Sequence, residues 1–153
     1  WTWTAWVYAD SLGESWVVGK DNAAANGIEY LLGHSVGAAR FRIYIGDGAG
    51  NNTNVDANTF GAPTTATWYW LAAWHDLAAD TLNISVNNGA ADSATVTITP
   101  AVGTSAFSIG RDGEFNGQYW NGRIDAVGFW KRVLNADERT LLYNGGNGRE
   151  YPL

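Results

Sequence analysis

Residues 120–148 constrain the fold more than any other part of this 153-residue chain. They include residues 122–130, an apolar run with the length and composition of a buried β-strand. Asn135 then stands where it can cap a helix, and Glu138, three residues further on, completes a capping-box pattern. Gly145 supplies the left-handed residue that commonly ends a helix. The segment therefore predicts one strand, a sharp stop and one short helix.

The remainder of the chain is typical of an all-β domain. Only 16% of its residues are charged, and 19 glycines supply turns. Asn87, Asn88 and Gly89 give a hairpin-turn signal, whereas residues 46–58 form the longest irregular stretch and are predicted to be a loop. Further strands are predicted at residues 1–8, 16–20, 28–32, 39–45, 68–75, 81–86, 94–99 and 107–109. About ten or eleven short strands with one helix and no repeats predict a jelly-roll β-sandwich.

The first predicted strand carries large side chains on both of its faces. Trp1 and Trp3 fall on one face, and Trp6 and Tyr8 fall on the other. Because side chains alternate along a strand, we expect this strand to be covered on both sides or to pack against another sheet.

Charge and composition exclude several functions. The formal net charge is −6, and the nine Lys and Arg residues are scattered along the chain, which argues against a nucleic-acid partner. No run approaches the roughly 18 apolar residues of a membrane span, so membrane insertion is not expected. The chain has no cysteine, which excludes disulfides and thiolate-bound metals.

Five fragments in order resemble the laminin-G-like family of the concanavalin A-like lectin/glucanase superfamily, in its non-catalytic form. They are Ala5-Trp6-Val7, Gly19-Lys20, residues 68–76, Ile109-Gly110-Arg111 and residues 122–128. The C-terminal strand, helix and glycine tail resemble the same family. The resemblance implies an all-β, two-sheet antiparallel jelly-roll sandwich with one short C-terminal helix. It also implies a domain that binds and does not catalyse.

One departure from the family concerns the first strand. Family members usually carry some tens of residues before the strand that matches residues 1–8, and these contribute an early strand of the sandwich. We therefore expect a single domain over residues 1–153 that lacks this strand. A sheet without its edge strand exposes unpaired backbone groups, which a neighbouring chain or another segment would fill.

The sequence does not predict an enzyme. Glucanases of this superfamily carry a Glu-x-Asp-x-x-Glu strand, whose spacing puts its carboxylates on one face as nucleophile and general acid. No glutamate of the chain has acidic residues two and five positions further on; the glutamates are Glu14, Glu29, Glu114, Glu138 and Glu150. His34 and His75 have no evident nucleophile as a partner.

Two groups of residues are candidate binding sites. Calcium prefers oxygen ligands, and the oxygen-rich loops offer candidate ligands at Asp47, Asn51, Asn54, Asp56 and Asp112. The alternative is that these residues are present because they tolerate turn geometry. No other cofactor is predicted.

The second group is a candidate sugar site. An aromatic ring can cover the apolar face of a pyranose while amides bind its hydroxyls. The best local match has the residues Asn116, Gln118, Tyr119, Trp120 and Asn121. The alternative is that most tryptophans, Trp120 included, pack in the core.

The sequence leaves two functions open. The first is a non-catalytic binding or adhesion module that recognises a glycan. The second is a structural or decoration protein of a virion or another large assembly, which docks through its sheet. The expected partner is a glycan or a neighbouring protein subunit, with a homo-oligomer among the options. Either function places the protein outside the cell or on the surface of a particle.

Overall fold

The computed structural model describes residues 1–21, 27–112 and 118–149. These residues form two five-stranded antiparallel sheets and one short α-helix, which confirms the predicted jelly-roll sandwich. The strands are β1 (Thr2–Ala9), β2 (Ser15–Lys20), β3 (Tyr30–Ser35), β4 (Arg40–Gly46), β5 (Asn52–Asp56), β6 (Trp68–Asp76), β7 (Thr81–Val86), β8 (Asp92–Thr95), β9 (Phe107–Ile109) and β10 (Gly122–Trp130). The first sheet has the order β10-β1-β6-β7-β8, and the second has the order β5-β4-β3-β2-β9.

The hydrophobic core lies between the two sheets. Val7 and Leu71 of the first sheet and Leu32 and Ile43 of the second are fully buried in it. Burial of each such side chain contributes about 1.5–3 kcal/mol, so the inward positions hold the sheets together. The opposite, outward positions of each strand are then free to carry other residues, because side chains alternate along a strand.

The helix α1 (Ala136–Tyr143) begins as the sequence predicts. The Asn135 side chain accepts a hydrogen bond from the Glu138 backbone N–H at 2.9 Å, and Glu138 Oε2 accepts one from the Asn135 N–H at 2.9 Å. This reciprocal pair confirms the capping box. The helix ends at Tyr143, and the left-handed conformation predicted for Gly145 (φ 62°) is already adopted by Asn144 with φ 49°. Asparagine tolerates this conformation better than most residues.

The helix covers the outer face of the first sheet. Trp70, Ala72, Leu134 and Leu142 form a second buried cluster there, with Trp6 packed against it. The prediction that β1 is covered on both sides is therefore confirmed, because Trp3, Ala5 and Val7 on its other face lie in the main core.

The predictions for residues 46–58 and 94–99 differ most from the structure. Residues 46–58 are not a loop throughout, since they contain β5, which pairs with β4 from Asn52 opposite Gly46 to Asp56 opposite Arg42. Only Val55 of β5 is buried, so this edge strand lacks the apolar alternation that reveals a strand. β8 replaces the strand predicted at residues 94–99 and begins two residues earlier.

The hairpin between β7 and β8 is confirmed. Asn87 and Asn88 have φ values of 51° and 55°, and the Gly89 N–H bonds to the Val86 carbonyl oxygen at 3.0 Å. Two consecutive positive φ values match the twist of the strands in a type I′ turn. Among the described residues, no helix is long and apolar enough to cross a membrane.

Candidate ligand-binding site

Two rows of side chains cross the outer face of the second sheet. The first row follows the register Trp16, Gly33, Arg42 and Asp56 across β2, β3, β4 and β5. The second row follows Gly19, Leu31, Tyr44 and Asn54 across the same strands. Cross-strand neighbours lie about 4.5–5.5 Å apart at Cβ, so each row brings its side chains together.

Two glycines in these rows let other backbone segments come close to the sheet. A methyl carbon added at Gly33 would lie 2.1 Å from the Ser15 carbonyl oxygen, where β2 changes register between Trp16 and Val18. One added at Gly19 would lie 2.9 Å from the Asp112 Cα. The segment after β9 therefore crosses directly over β2 and buries Asp112, of which 1% is exposed.

These elements enclose a cavity of about 230 Å³, which we call the second-sheet cavity. Its lining combines an apolar and aromatic part with a polar part. The apolar and aromatic residues are Trp16, Ile28, Leu31 and Tyr44, and the polar residues are Glu14, Asp21, Arg42, Asp112 and Gln118.

Arg42 and Asp56 form a bidentate ion pair beside the cavity. Arg42 Nε donates to Asp56 Oδ1 at 2.6 Å, and Nη2 donates to Oδ2 at 2.9 Å. The hydrogen bonds to Asp56 raise the pKa of Arg42 above its ordinary value, and the charges of Asp56 and Glu14 add to the rise against the opposing effect of burial. Arg42 is thus a fixed cation whose fork is held by a neighbouring carboxylate.

Tyr44 stays neutral at the rim of the cavity. Burial raises the pKa of its hydroxyl above 10.0, and the charge of Asp21 adds to this effect while Arg42 opposes it. A neutral phenol presents an aromatic ring together with a hydroxyl that can donate or accept a hydrogen bond.

Gln118 is fixed in the cavity wall by Trp16. The indole Nε1 of Trp16 donates to Gln118 Oε1 at 2.6 Å, and the Trp16 backbone N–H bonds to the Gln118 carbonyl oxygen at 3.3 Å. Because the Gln118 amide oxygen already accepts a hydrogen bond from Trp16, the amide nitrogen is the part that can bind a ligand. Amide NH₂ groups are hydrogen-bond donors, as sugar hydroxyl oxygens require.

The structure separates the residues predicted to bind a sugar. Gln118 lines the cavity, whereas Tyr119 is 53% exposed and does not line it. Trp120 is 8% exposed, packs in the main core and donates from Nε1 to the Tyr8 carbonyl oxygen at 3.1 Å. The position of Trp120 thus matches the alternative, in which its ring packs in the core.

The remaining two members of that group lie elsewhere. The Asn121 side chain donates to Ser11 Oγ at 2.8 Å, away from the cavity. Asn116 lies outside the described residues. Successive residues of an extended segment point to opposite sides, so four neighbours in sequence do not share one surface.

The predicted calcium ligands are divided among three places. Asp47 accepts hydrogen bonds from the Asn51 side chain at 2.7 Å and from the Asn51 and Ala49 N–H groups at 3.0 and 2.8 Å. The hydrogen bond from the Asn51 side chain is the main cause of a lowered pKa of Asp47. Asp56 binds Arg42, and Asp112 lies at the cavity.

The last of these residues, Asn54, is exposed on β5. Within residues 1–21, 27–112 and 118–149, no three His, Asp or Glu side chains are grouped as a metal site. Calcium binding stays a prediction.

Three of the residues that matter most in the cavity were not predicted from the sequence, namely Trp16, Arg42 and Tyr44. A signal was present, because the alternation within β4 puts Arg42 and Tyr44 on the face opposite to the apolar Phe41, Ile43 and Ile45. A strand that alternates apolar with polar or aromatic residues has one face away from the core, and such a face can carry a site.

The outer face of the first sheet has a different character. We call it the tryptophan face, after Trp6, Trp68, Trp70 and Trp74. Trp6 stacks on Tyr143 of α1 with ring centroids 5.9 Å apart, and Arg139 of α1 lies 4.3 Å from the Trp74 ring. Space of about 660 Å³ remains between this face, β10 and Leu142.

The two outer faces define a jelly-roll domain that has a helix packed on one sheet and an open polar cavity on the other. The chain belongs to the concanavalin A-like lectin/glucanases superfamily, because the laminin-G-like family model of that superfamily matches residues 1–138. A search of curated proteins finds no match.

Several solved structures share the fold at low sequence identity. A candidate carbohydrate-binding protein from Bacteroides ovatus is 20% identical with a TM-score of 0.68, over 90% of this chain and 38% of that chain. A SAP-like pentraxin from Limulus polyphemus is 11% identical with a TM-score of 0.70, over 96% of this chain and 70% of that one. The CBM40 of a Ruminococcus gnavus sialidase is 13% identical with a TM-score of 0.70, over 90% and 78%. The chain thus spans well under half of the Bacteroides ovatus protein.

Proposed function

We propose that the protein is a non-catalytic carbohydrate-binding module, and that it holds a glycan in the second-sheet cavity. The observation that carries this proposal is the composition of the cavity lining. It brings together the Tyr44 ring and the anchored Gln118 amide. Relatives by fold include proteins described as carbohydrate-binding, which supports the same conclusion.

The chemistry of a sugar matches this lining. One face of a pyranose ring is apolar and can lie on Tyr44 and Leu31, while a hydroxyl oxygen can accept a hydrogen bond from the Gln118 amide. The cavity volume of about 230 Å³ is below the roughly 300–1,000 Å³ of sites for drug-sized ligands. We therefore expect one sugar residue of a longer chain to enter the cavity, with the rest lying across the sheet.

Binding without hydrolysis is part of the proposal. A glycosidase needs one carboxyl that acts as an acid and a second that acts as nucleophile or base, on either side of the scissile bond. The Asp56 carboxylate is committed to Arg42, and Glu14 Oε2 accepts the Val36 N–H at 2.8 Å. Asp21 and Asp112 are each 1% exposed. The chain also lacks the Glu-x-Asp-x-x-Glu strand of glucanases.

A glycan array followed by calorimetry tests this function. We expect wild-type protein to bind at least one polysaccharide, and Tyr44→Ala to weaken that binding by about tenfold or more because the stacking ring is lost. Tyr119→Ala is the matched control, since Tyr119 is an exposed aromatic residue outside the cavity. Equal binding by wild type and Tyr44→Ala would contradict the site, and release of reducing ends would contradict the non-catalytic function. EGTA added in parallel tests the predicted calcium.

We propose docking to a neighbouring subunit as a second function, because the exposed sheet edges support it. Phe107 and Ile109 of β9 and Phe129 of β10 are large apolar residues on edge strands, each more than 40% exposed. Such edges suit docking to a neighbouring subunit of a virion or another assembly, or to a second copy of this chain. Either function would place the protein outside the cell or on a particle surface. Sedimentation velocity of wild type and Phe129→Asp tests it: a multimer that dissociates in the variant supports docking, and a monomer in both opposes a homo-oligomer.

A further inference from the structure

We infer that the tryptophan face carries a second saccharide site, at the end where the chain leaves α1. This inference rests on the proposed glycan binding and adds a site on the side of the sandwich opposite to the second-sheet cavity. The site combines the exposed ring of Trp68 with the Asp125 side chain and residues 146–149. A module with both sites can hold two glycan chains at once.

A groove made of two spaces crosses this end of the tryptophan face. The first space has a volume of about 310 Å³ and lies between Trp68 and residues 146–149. The second is the space of about 660 Å³ beside β10 and Leu142. The two spaces adjoin because four residues line both, namely Trp6, Asp125, Ala126 and Arg149. Each volume lies within the roughly 300–1,000 Å³ of small-ligand sites, so the groove can hold more than one sugar unit.

Trp68 presents an aromatic ring to the groove. Strand register puts Trp68, Tyr8 and Arg123 in one row across β6, β1 and β10. The ring centroids of Trp68 and Tyr8 lie 5.6 Å apart, and the Arg123 guanidinium lies 4.6 Å from the Tyr8 ring. Tyr8 is thus held between two neighbours, while 40% of Trp68 stays exposed. An exposed indole that packs against a neighbouring ring can cover the apolar face of a pyranose.

The chain after α1 forms a fixed wall of the groove. Asn144 Nδ2 donates to the Gly148 carbonyl oxygen at 2.9 Å, and the Gly148 N–H bonds to the Tyr143 carbonyl oxygen at 3.1 Å. Asn147 Nδ2 donates to the Asn144 carbonyl oxygen at 3.2 Å. Gly148 has a φ of 67°, and a methyl carbon added to it would lie 2.8 Å from Trp6 Nε1. The asparagines and glycine therefore hold this backbone directly against the tryptophan face.

Asp125 and Arg149 supply polar groups beside the rings. Both are exposed, and neither belongs to an ion pair in the described part of the chain. Asp125 Oδ1 accepts the Ala126 N–H at 2.7 Å, so the second carboxylate oxygen can accept a hydrogen bond from a sugar hydroxyl. The Arg149 guanidinium can donate to a hydroxyl or ring oxygen. An acceptor and a donor next to an aromatic ring are the groups that orient a sugar.

A β-bulge in β10 positions Asp125 at the groove. The register between β1 and β10 shifts between Thr4 and Trp6, and Trp6 is then paired with Asp125. Ala126 at this shift has a φ of 46°, a left-handed conformation that costs an alanine about 1–2 kcal/mol. Bulges re-aim side chains, and strained backbone concentrates at ligand sites. The strained residue itself lines both spaces of the groove, which agrees with a binding role.

The test is a glycan array followed by titration calorimetry, made in the Tyr44→Ala background so that the second-sheet cavity does not contribute. Trp68→Ala removes the exposed ring. Phe60→Ala is its matched control, because Phe60 is 38% exposed and lines neither space. Asp125→Asn keeps an oxygen for the neighbouring N–H but replaces the second acceptor with a donor. Asp80→Asn is the control for it, since this residue is exposed and its φ of 50° suits asparagine.

We expect Tyr44→Ala to retain saccharide binding, which Trp68→Ala should weaken about tenfold or more and Asp125→Asn about fivefold. The Phe60 and Asp80 variants should bind as the background does. If Tyr44→Ala does not fold, the stoichiometry decides: wild type should bind two oligosaccharides and Trp68→Ala one. An unchanged stoichiometry in Trp68→Ala would overturn the second site.

The outcomes separate this inference from the proposed function. Wild-type binding that disappears in Tyr44→Ala would overturn the second site and leave the cavity function standing. Residual binding that is unaffected by Trp68→Ala would also overturn the second site. Binding that Tyr44→Ala leaves unchanged and Trp68→Ala removes would overturn the cavity and support the second site. No binding of any saccharide by wild type would overturn both.

Discussion

The outer faces of the two sheets result from the same alternation of side chains, but a helix covers one face and the other is open. On the first sheet, the outward residues include Trp6, Trp70 and Trp74, and α1 packs over Trp70, Ala72 and Trp74. On the second sheet, the outward residues include Arg42 and Tyr44, and no helix of the described chain lies over them. A covered face contributes apolar burial and hence stability, whereas an open polar face can bind a ligand.

The connection between β10 and α1 explains which face is covered. Thr2 Oγ1 on β1 donates to the Arg132 carbonyl oxygen at 2.9 Å and accepts the Leu134 N–H at 3.0 Å. These bonds tie the segment before the helix to the outer side of the first sheet. The helix is then placed where Leu142 meets Trp70, and the second sheet stays open.

The largest effect is expected from loss of a buried ring on the tryptophan face. Trp70→Ala should lower the free energy of unfolding by about 3–5 kcal/mol, because the ring is 2% exposed and its removal leaves a cavity. Urea denaturation followed by circular dichroism measures it. Trp68→Ala on the same face is the control, since Trp68 is 40% exposed. Similar losses in both variants would show that the helix does not stabilise this face as described.

A smaller loss is expected at the floor of the second-sheet cavity. Gly33→Ala should cost about 1–3 kcal/mol, because the added carbon would lie 2.1 Å from the Ser15 carbonyl oxygen and β2 must shift. Glycan affinity should fall with it, since Trp16 and Gln118 move with β2. Gly37→Ala is the control, with no atom within 4 Å of the added carbon. A Gly33→Ala variant with wild-type stability and affinity would contradict the close approach. Thermal unfolding and calorimetry provide the readouts.

The cap of α1 should contribute less than these packing interactions. Asn135→Ala removes the acceptor for the Glu138 N–H and should lower the free energy of unfolding by about 1 kcal/mol. Asn54→Ala, an exposed position on β5, should stay within about 0.5 kcal/mol of wild type. Chemical denaturation of both variants checks this, and the glycan affinity of the second-sheet cavity should be unchanged in Asn135→Ala. A loss of this glycan affinity in Asn135→Ala would show that the cap of α1 on the first sheet affects the cavity on the second sheet, contrary to this expectation.

The smallest effect concerns pH. Two hydrogen bonds from Arg132, one of them 2.7 Å long, lower the pKa of Glu138 from 4.5 to about 2, with help from the Asn135 N–H. Because the folded-state pKa is the lower one, the ionised carboxylate stabilises the fold above about pH 4.5, and this contribution disappears as the pH falls toward 2. Melting temperatures of wild type and Glu138→Gln should therefore differ at pH 6 and converge near pH 2. A difference that persists at pH 2 would assign the effect to something other than this charge.

The parts of the molecule that were predicted correctly depend on local patterns. The capping box at Asn135 and Glu138 and the turn at Asn87 and Asn88 each involve neighbours within a few residues, so they can be read from the sequence. β5 was missed because its one buried residue, Val55, leaves no alternation to detect. The polar residues of its loop were interpreted as ligands, whereas Asp56 bonds to an arginine on the adjacent strand.

The candidate site also depends on residues that are far apart in the sequence. Gln118 was predicted, but its partner Trp16 is 102 residues away, and the two meet only because β2 lies under the segment that follows β9. The sequence left Trp120 open between sugar stacking and core packing, because an aromatic residue among amides occurs both on surfaces and in cores. Its burial is decided by which side of an extended segment faces the sandwich.

The sequence by itself determined the class of fold and the helix with its cap, and its net negative charge predicts that nucleic acid is not a partner. These follow from alternation, capping residues and composition, which act locally or over the whole chain. Only the tertiary structure decided that Trp16, Arg42, Tyr44 and Gln118 share one cavity, because strand register brings them together. It also decided which sheet the helix covers. Local pattern and turn geometry set the register within a hairpin, whereas layer placement and the pairing of distant strands depend on contacts between segments far apart in the chain.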